Sequence, residues 1–152
     1  MEKDVIKHLS SCYYAMLILA VVEATAAYYL VTKGIICPIA PNSTWGVVIQ
    51  SFVILDALLT IPLGLYMFKR RCLKISKIED TVEQAAAYEV AARWRIILVS
   101  NTMGFALIAC YLLGGYTSML WVAAISAIGW YFTKPTEKKM FLELHTSEEE
   151  QY

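Results

Sequence analysis

The sequence predicts an all-α fold: an integral membrane four-helix bundle with both termini in the cytoplasm and a long helix 3 projecting into it. Three observations predict this. The chain of 152 residues is 59% apolar and 17% charged, where soluble domains are roughly 45–50% apolar and about 25% charged. Four apolar segments approach the roughly 20 residues that cross a hydrocarbon core. The basic residues fall on one side of those segments, 12 of the 13 by count.

The first span covers residues 11–31, SCYYAMLILAVVEATAAYYLV. Lys3, Lys7, the apolar stretch and Ala24-Thr25-Ala26 have the outline of a secretory signal. The apolar run continues through Tyr28-Tyr29-Leu30-Val31, however, and Glu23 adjoins the small-residue site, so an anchor is expected. The second span covers residues 46–68. Pro62 removes the backbone bond to the Leu58 carbonyl and is expected to kink this span. The loop between them, TKGIICPIAPNSTW, holds two prolines and should be irregular. Its Asn42-Ser43-Thr44 has the sequon pattern and is expected to be a polar turn.

Residues 69–95 are expected to form a cytoplasmic helical hairpin. Thr81 followed by Gln84 has the spacing of a capping box, and the segment after Val82 is rich in alanine, the best helix former. Glu89 and Arg93 form an i,i+4 pair in the favoured order. Nothing breaks the helix from Val82 to Leu113, so one helix of about 45–50 Å is predicted. The third span, residues 96–113, and the fourth, residues 117–132, sit near the lower length limit. Pro135 ends the fourth. Met140, Phe141, Leu142 and Leu144 are expected on the membrane surface, followed by an acidic tail over residues 145–152 whose last residues, Glu148-Glu149-Glu150, are expected to be disordered. The whole chain, residues 1–152, reads as a single transmembrane domain.

Orientation follows from lysine and arginine. The N-terminal segment, residues 69–95 and the C-terminal tail carry every basic residue except Lys33. Those three segments are therefore assigned to the cytoplasm.

Several function classes find no support. Formal net charge is zero, so nothing points to nucleic acid. The four cysteines are scattered, without a CxxC pair or Cys/His metal spacing, so no metal or disulfide framework is expected. The sequence shows no Ser/His/Asp grouping and no phosphate-cradling glycine loop, and its two histidines, His8 and His145, lie near the ends. No catalytic activity and no cofactor are expected.

The informative residues are polar ones inside the spans. Glu23 lies roughly 18 Å from Ser11, and Asp56 roughly 20 Å from Lys69, at 1.5 Å per residue. Both carboxylates therefore fall near mid-depth, where each costs about 2.5–3.5 kcal/mol to insert. No Lys or Arg lies within the four spans to neutralise them. Spans one and two are joined by a short loop, so the two carboxylates are expected to face each other. Glu23 shares a face with Ala20, Ala26 and Ala27, small residues that admit another helix. Thr60, one turn beyond Asp56, is a hydrogen-bond candidate. Asn101 is expected to bond the backbone freed by Pro62, with Gly104 giving it room. These carboxylates could serve as neutral glue between helices, pair with a basic residue of a partner, or carry a proton or cation. Ala85, Ala86, Ala87 and Ala92, beside Glu89 and Arg93, form a second candidate, a flat docking face on the projecting helix.

Two likenesses accompany these residues. The stretch LAVVEATAAYYL, a carboxylate in the first of four spans, resembles the small multidrug resistance family, which implies a proton- or cation-coupled transporter using Glu23 and Asp56. The longer loop between spans two and three and the second carboxylate depart from that pattern. Four spans with both ends inside and a charged helical loop also resemble ATP synthase protein I in topology, which implies a membrane helper for other subunits. The expectation is an accessory, assembly or interaction protein of a bacterial inner membrane. Its partners would be the lipid bilayer and another membrane protein or a second copy.

Overall fold

The computed structural model describes residues 2–149, and the side chains of residues 3–144. Five helices follow one another: α1 (Glu2–Thr32), α2 (Thr44–Ile75), α3 (Thr81–Leu112), α4 (Thr117–Phe132) and α5 (Glu137–Glu149). The described residues hold no strand. The first three helices are long and apolar enough to cross a membrane. At 31 or 32 residues each, they run about 46–48 Å, against a hydrocarbon core of about 30 Å. The 16 residues of α4 make about 24 Å.

The local signals explain most boundaries. Ser43 caps α2, its hydroxyl accepting from the Gly46 backbone N–H at 3.1 Å. A side chain at Gly46 would run into the carbonyl oxygens of Ala40 and Pro41. α2 continues through Pro62 without interruption. α3 is a single helix, as the alanine-rich sequence predicts, but its cap is Asp80 rather than Thr81. The Asp80 carboxylate accepts from Val82 N–H at 2.8 Å, and its charge also suits the positive end of the helix dipole. Gln84, the other half of the expected capping box, donates to the Ile75 carbonyl at 3.3 Å and ties the start of α3 to the end of α2. Gly114 and Gly115, with φ of 68° and 82°, supply the left-handed turn between α3 and α4.

α3 is the centre of the molecule. It packs against α1, α2 and α4, whereas α1 and α2 do not approach each other closely. Over half of the apolar stretch of α3 is buried, 56%, against 11% for α1 and 17% for α2. The outward faces of α1 and α2 carry Ile18, Val21, Phe52, Leu55 and Leu58, all exposed. Such a continuous apolar exterior is a surface suited to lipid and not to water.

The core has two parts. One lies at the end that gathers the basic segments, with Leu9 of α1, Cys72 of α2, Tyr88 and Ile96 of α3, and Met140 and Leu144 of α5. The other lies at the opposite end, around Val53, Ala106, Leu113 and Met119. The basic end differs from expectation in two ways. Residues 2–10 extend α1 rather than forming a tail. The segment after Pro135 folds back as α5, burying Met140 and Leu144 while Phe141 and Leu142 stay exposed. The spacing of Met140 and Leu144, one turn apart on one face, makes that helix amphipathic and gives it somewhere to dock. α5 remains helical through Glu149, inside the stretch expected to be disordered, and Glu150 to Tyr152 lie outside the described residues.

Candidate functional site

The two carboxylates meet α3, not each other. Asp56 of α2 accepts two hydroxyl hydrogen bonds, from Thr60 on its own helix and from Thr102 on α3, each at 2.9 Å. Glu23 of α1 lies against Gly104 of α3, where an added Cβ would sit 2.5 Å from Oε2 of the carboxylate. Thr102 and Gly104 are two residues apart, about 3 Å along the helix and about 200° around it. Both carboxylates therefore reach one level of α3, the similar position that counting along the two spans gives. They do not face each other, because α3 stands between them. Its small residues on the α1 side, Ser100 and Gly104, are both buried and let that helix come close.

The two sites differ chemically. Asp56 has a donor for each oxygen and joins α2 to α3. Glu23 is half-buried and makes no hydrogen bond or ion pair among the described residues. Ala20 and Ala27 on its face are buried, and Ala26 is exposed. Ser100, one turn from Gly104 towards the basic end, has a buried hydroxyl without a partner among the described residues.

Asn101 departs from its expected role. It is exposed and makes no bond to α2; Gly104 makes room for Glu23 instead. The reason is helical phase. Asn101 shares a stripe with Val90, Trp94, Leu98 and Phe105, all exposed, which is the one side of α3 that α1, α2 and α4 leave uncovered. An exposed amide thus lies in an apolar stripe at the level of Glu23 and Asp56.

The second candidate face is largely occupied from within. Ala85 and Ala92 belong to the core of the basic end, Ala87 packs against it, and Ala86 is exposed. Arg93 donates to Glu89, and Nδ1 of His8 on α1 lies 3.7 Å from the same carboxylate.

Sequence reasoning missed a third polar cluster, at the basic end. Arg95, only 5% exposed, pairs with Glu143 of α5 at 2.9 Å. Its guanidinium also lies 3.7 Å from the centre of the Phe68 ring, a cation–π contact. The Tyr88 hydroxyl donates to the other Glu143 oxygen at 2.6 Å. Burial, with the Glu143 charge beside it, pushes the Tyr88 phenol above its usual range, so it remains a donor. Burial, with Glu143 adding to it, also pushes the neighbouring Cys72 thiol up to about 12. The available signal was Glu143 flanked by Met140 and Leu144, a charge placed on the apolar face of a short helix.

Compared with known protein families, curated proteins and solved structures, the chain matches none of them. Its function is therefore read from the geometry alone.

Proposed function

We propose that this protein is a non-enzymatic accessory or assembly subunit of a bacterial inner membrane. In this reading all four of α1 to α4 cross, both termini lie in the cytoplasm, and the uncovered side of α3 around Asn101 and Phe105 docks another membrane protein. The observation that carries the reading is Glu23, a carboxylate at mid-depth with no donor among the described residues. Leaving such a group against lipid is costly, and a neighbouring helix bearing a Lys, Arg or hydroxyl at that level would relieve the cost. Asn101, on the stripe beside it, supplies the polar contact that orients helices in lipid. Asp56 is already served by Thr60 and Thr102, so it belongs to the scaffold. The orientation rests on the same basic residues as before.

The test compares Glu23→Gln, Asn101→Leu and Asp56→Asn in protein purified from its native membrane in mild detergent. Glu23→Gln and Asn101→Leu should lose a co-purifying membrane protein while keeping thermal stability. Asp56→Asn should lower stability and affect the partner less. If no partner is retained, and wild type but not Glu23→Gln releases protons on addition of candidate substrates, the protein is a transporter and the proposal fails.

A further inference from the structure

Two hollows meet on the α2–α3 surface at the basic end. One, of about 360 Å³, is a groove between the helices lined by Gly64, Met67, Phe68, Arg71, Trp94 and Leu98 among others. The second, of about 660 Å³, runs along the end of α2 past Tyr66, Arg70, Arg71, Lys74 and Lys77. Met67 and Arg71 line both.

We propose that this joined hollow is a binding site for an anionic phospholipid, its phosphate held by the basic arc and an acyl chain lying in the groove. Charge is the first reason. The arc gathers four cations and no carboxylate lines either hollow. Arg71, Lys74 and Lys77 make no ion pair among the described residues, while Arg70 lies over the Tyr66 ring at 5.2 Å. Basic clusters directly beside a membrane span attract anionic headgroups.

Shape is the second reason. Gly64 lines the groove, and a Cβ there would meet nothing within 4 Å, so a larger side chain at residue 64 would enter the open space. Met67, Trp94 and Leu98 make its walls apolar, and its size falls within the range of small-molecule sites, about 300–1,000 Å³. From Gly64 to Arg71 is seven residues, about 10 Å along α2. Over that distance α2 passes from its apolar span to its basic end, the depth at which a phospholipid passes from acyl chain to headgroup. A free phosphate would leave the groove unused. Arg95 also lines the groove, and its Nε is buried without an acceptor among the described residues while its other end holds Glu143.

The test uses the full chain in a neutral detergent, with bound lipid counted by native mass spectrometry and the melting temperature followed in parallel. Phosphatidylglycerol and phosphatidylcholine of identical chains are compared, with glycerol 3-phosphate as the soluble headgroup. Phosphatidylglycerol should be retained and should raise the melting temperature, and the other two should do neither. Removing charge in Arg71→Gln/Lys74→Gln should weaken retention about fivefold per charge. Gly64→Leu, which fills the groove and keeps every charge, should also weaken it, and Gly64→Ala should give a smaller loss should the leucine variant not fold. Lys134→Gln/Lys138→Gln removes two exposed lysines of the same side outside the arc and should bind as wild type. Equal retention of phosphatidylcholine, equal stabilisation by glycerol 3-phosphate, undiminished binding by both Gly64 variants, or an equal loss in the Lys134/Lys138 variant would each overturn the proposal.

Discussion

Replacing Glu143 by Gln removes the carboxylate paired with Arg95, a guanidinium that is only 5% exposed. Leaving such a charge buried and unpaired costs about 3–5 kcal/mol. The Tyr88 hydroxyl loses a charged acceptor at 2.6 Å in the same step, and the two losses overlap because they share one side chain. Against this stands the docking of α5, whose main apolar contributions are Met140 and Leu144, 5% and 7% exposed. Burying two such side chains contributes about 3–6 kcal/mol before the entropy of ordering α5 is subtracted. The two quantities are comparable. Undocking α5 would let water reach Arg95, so the cost of the substitution is capped by the docking energy. The expected outcome is local loosening and not global unfolding. Hydrogen–deuterium exchange should rise across residues 137–149 and stay unchanged across residues 96–110. A second variant, Arg95→Met/Glu143→Gln, removes both charges while the side-chain oxygen of the introduced glutamine can still accept from Tyr88; with no buried ion left unpaired, the protection of α5 should be restored. Unchanged exchange in Glu143→Gln, or a double variant as loose as the single one, would refute this account of the basic end.

Other perturbations test the remaining contacts. Gly104→Leu drives a side chain into the Glu23 carboxylate and should lower stability by about 1–3 kcal/mol; adding Glu23→Ala should recover part of that loss, which a thermal melt of both variants measures. Thr102→Val removes the α3 donor to Asp56 and should cost about 1.5–3 kcal/mol, whereas Thr60→Val leaves the α2–α3 link in place and should cost less in the same melt. Cys37 is exposed and Cys72 is buried, and burial holds the Cys72 thiol near 12. At neutral pH a maleimide should therefore modify Cys37 quickly and Cys72 only after unfolding, as mass mapping would show. In intact cells an impermeant maleimide should reach Cys37 from outside; labelling only after lysis would reverse the proposed orientation.

Much of the scaffold was legible along the chain. Length, apolar content and the absence of breakers between Val82 and Leu112 determine three helices long and apolar enough to cross a membrane, because those properties depend on each segment alone. That Glu23 and Asp56 share a level was legible for the same reason: rise per residue is fixed, so counting along each span gives relative level. What surrounds each carboxylate was not. That depends on which helix becomes central, and the order of packing is decided by side chains brought together from distant parts of the sequence. Glu23 finds Gly104, and Asp56 finds Thr102, 46 positions away, because small residues on α3 let α1 and α2 approach it from two sides. The same holds for Arg95 and Glu143, 48 positions apart, which meet only when α5 folds back over Met140 and Leu144. The sequence by itself determined the four apolar helices, the unbroken run of α3 and the shared level of the two carboxylates. Only tertiary packing decided that Asp56 would be satisfied, that Glu23 would find no donor among the described residues, and that Asn101 would lie on the uncovered side of α3, since each outcome depends on the angular position of one helix against another.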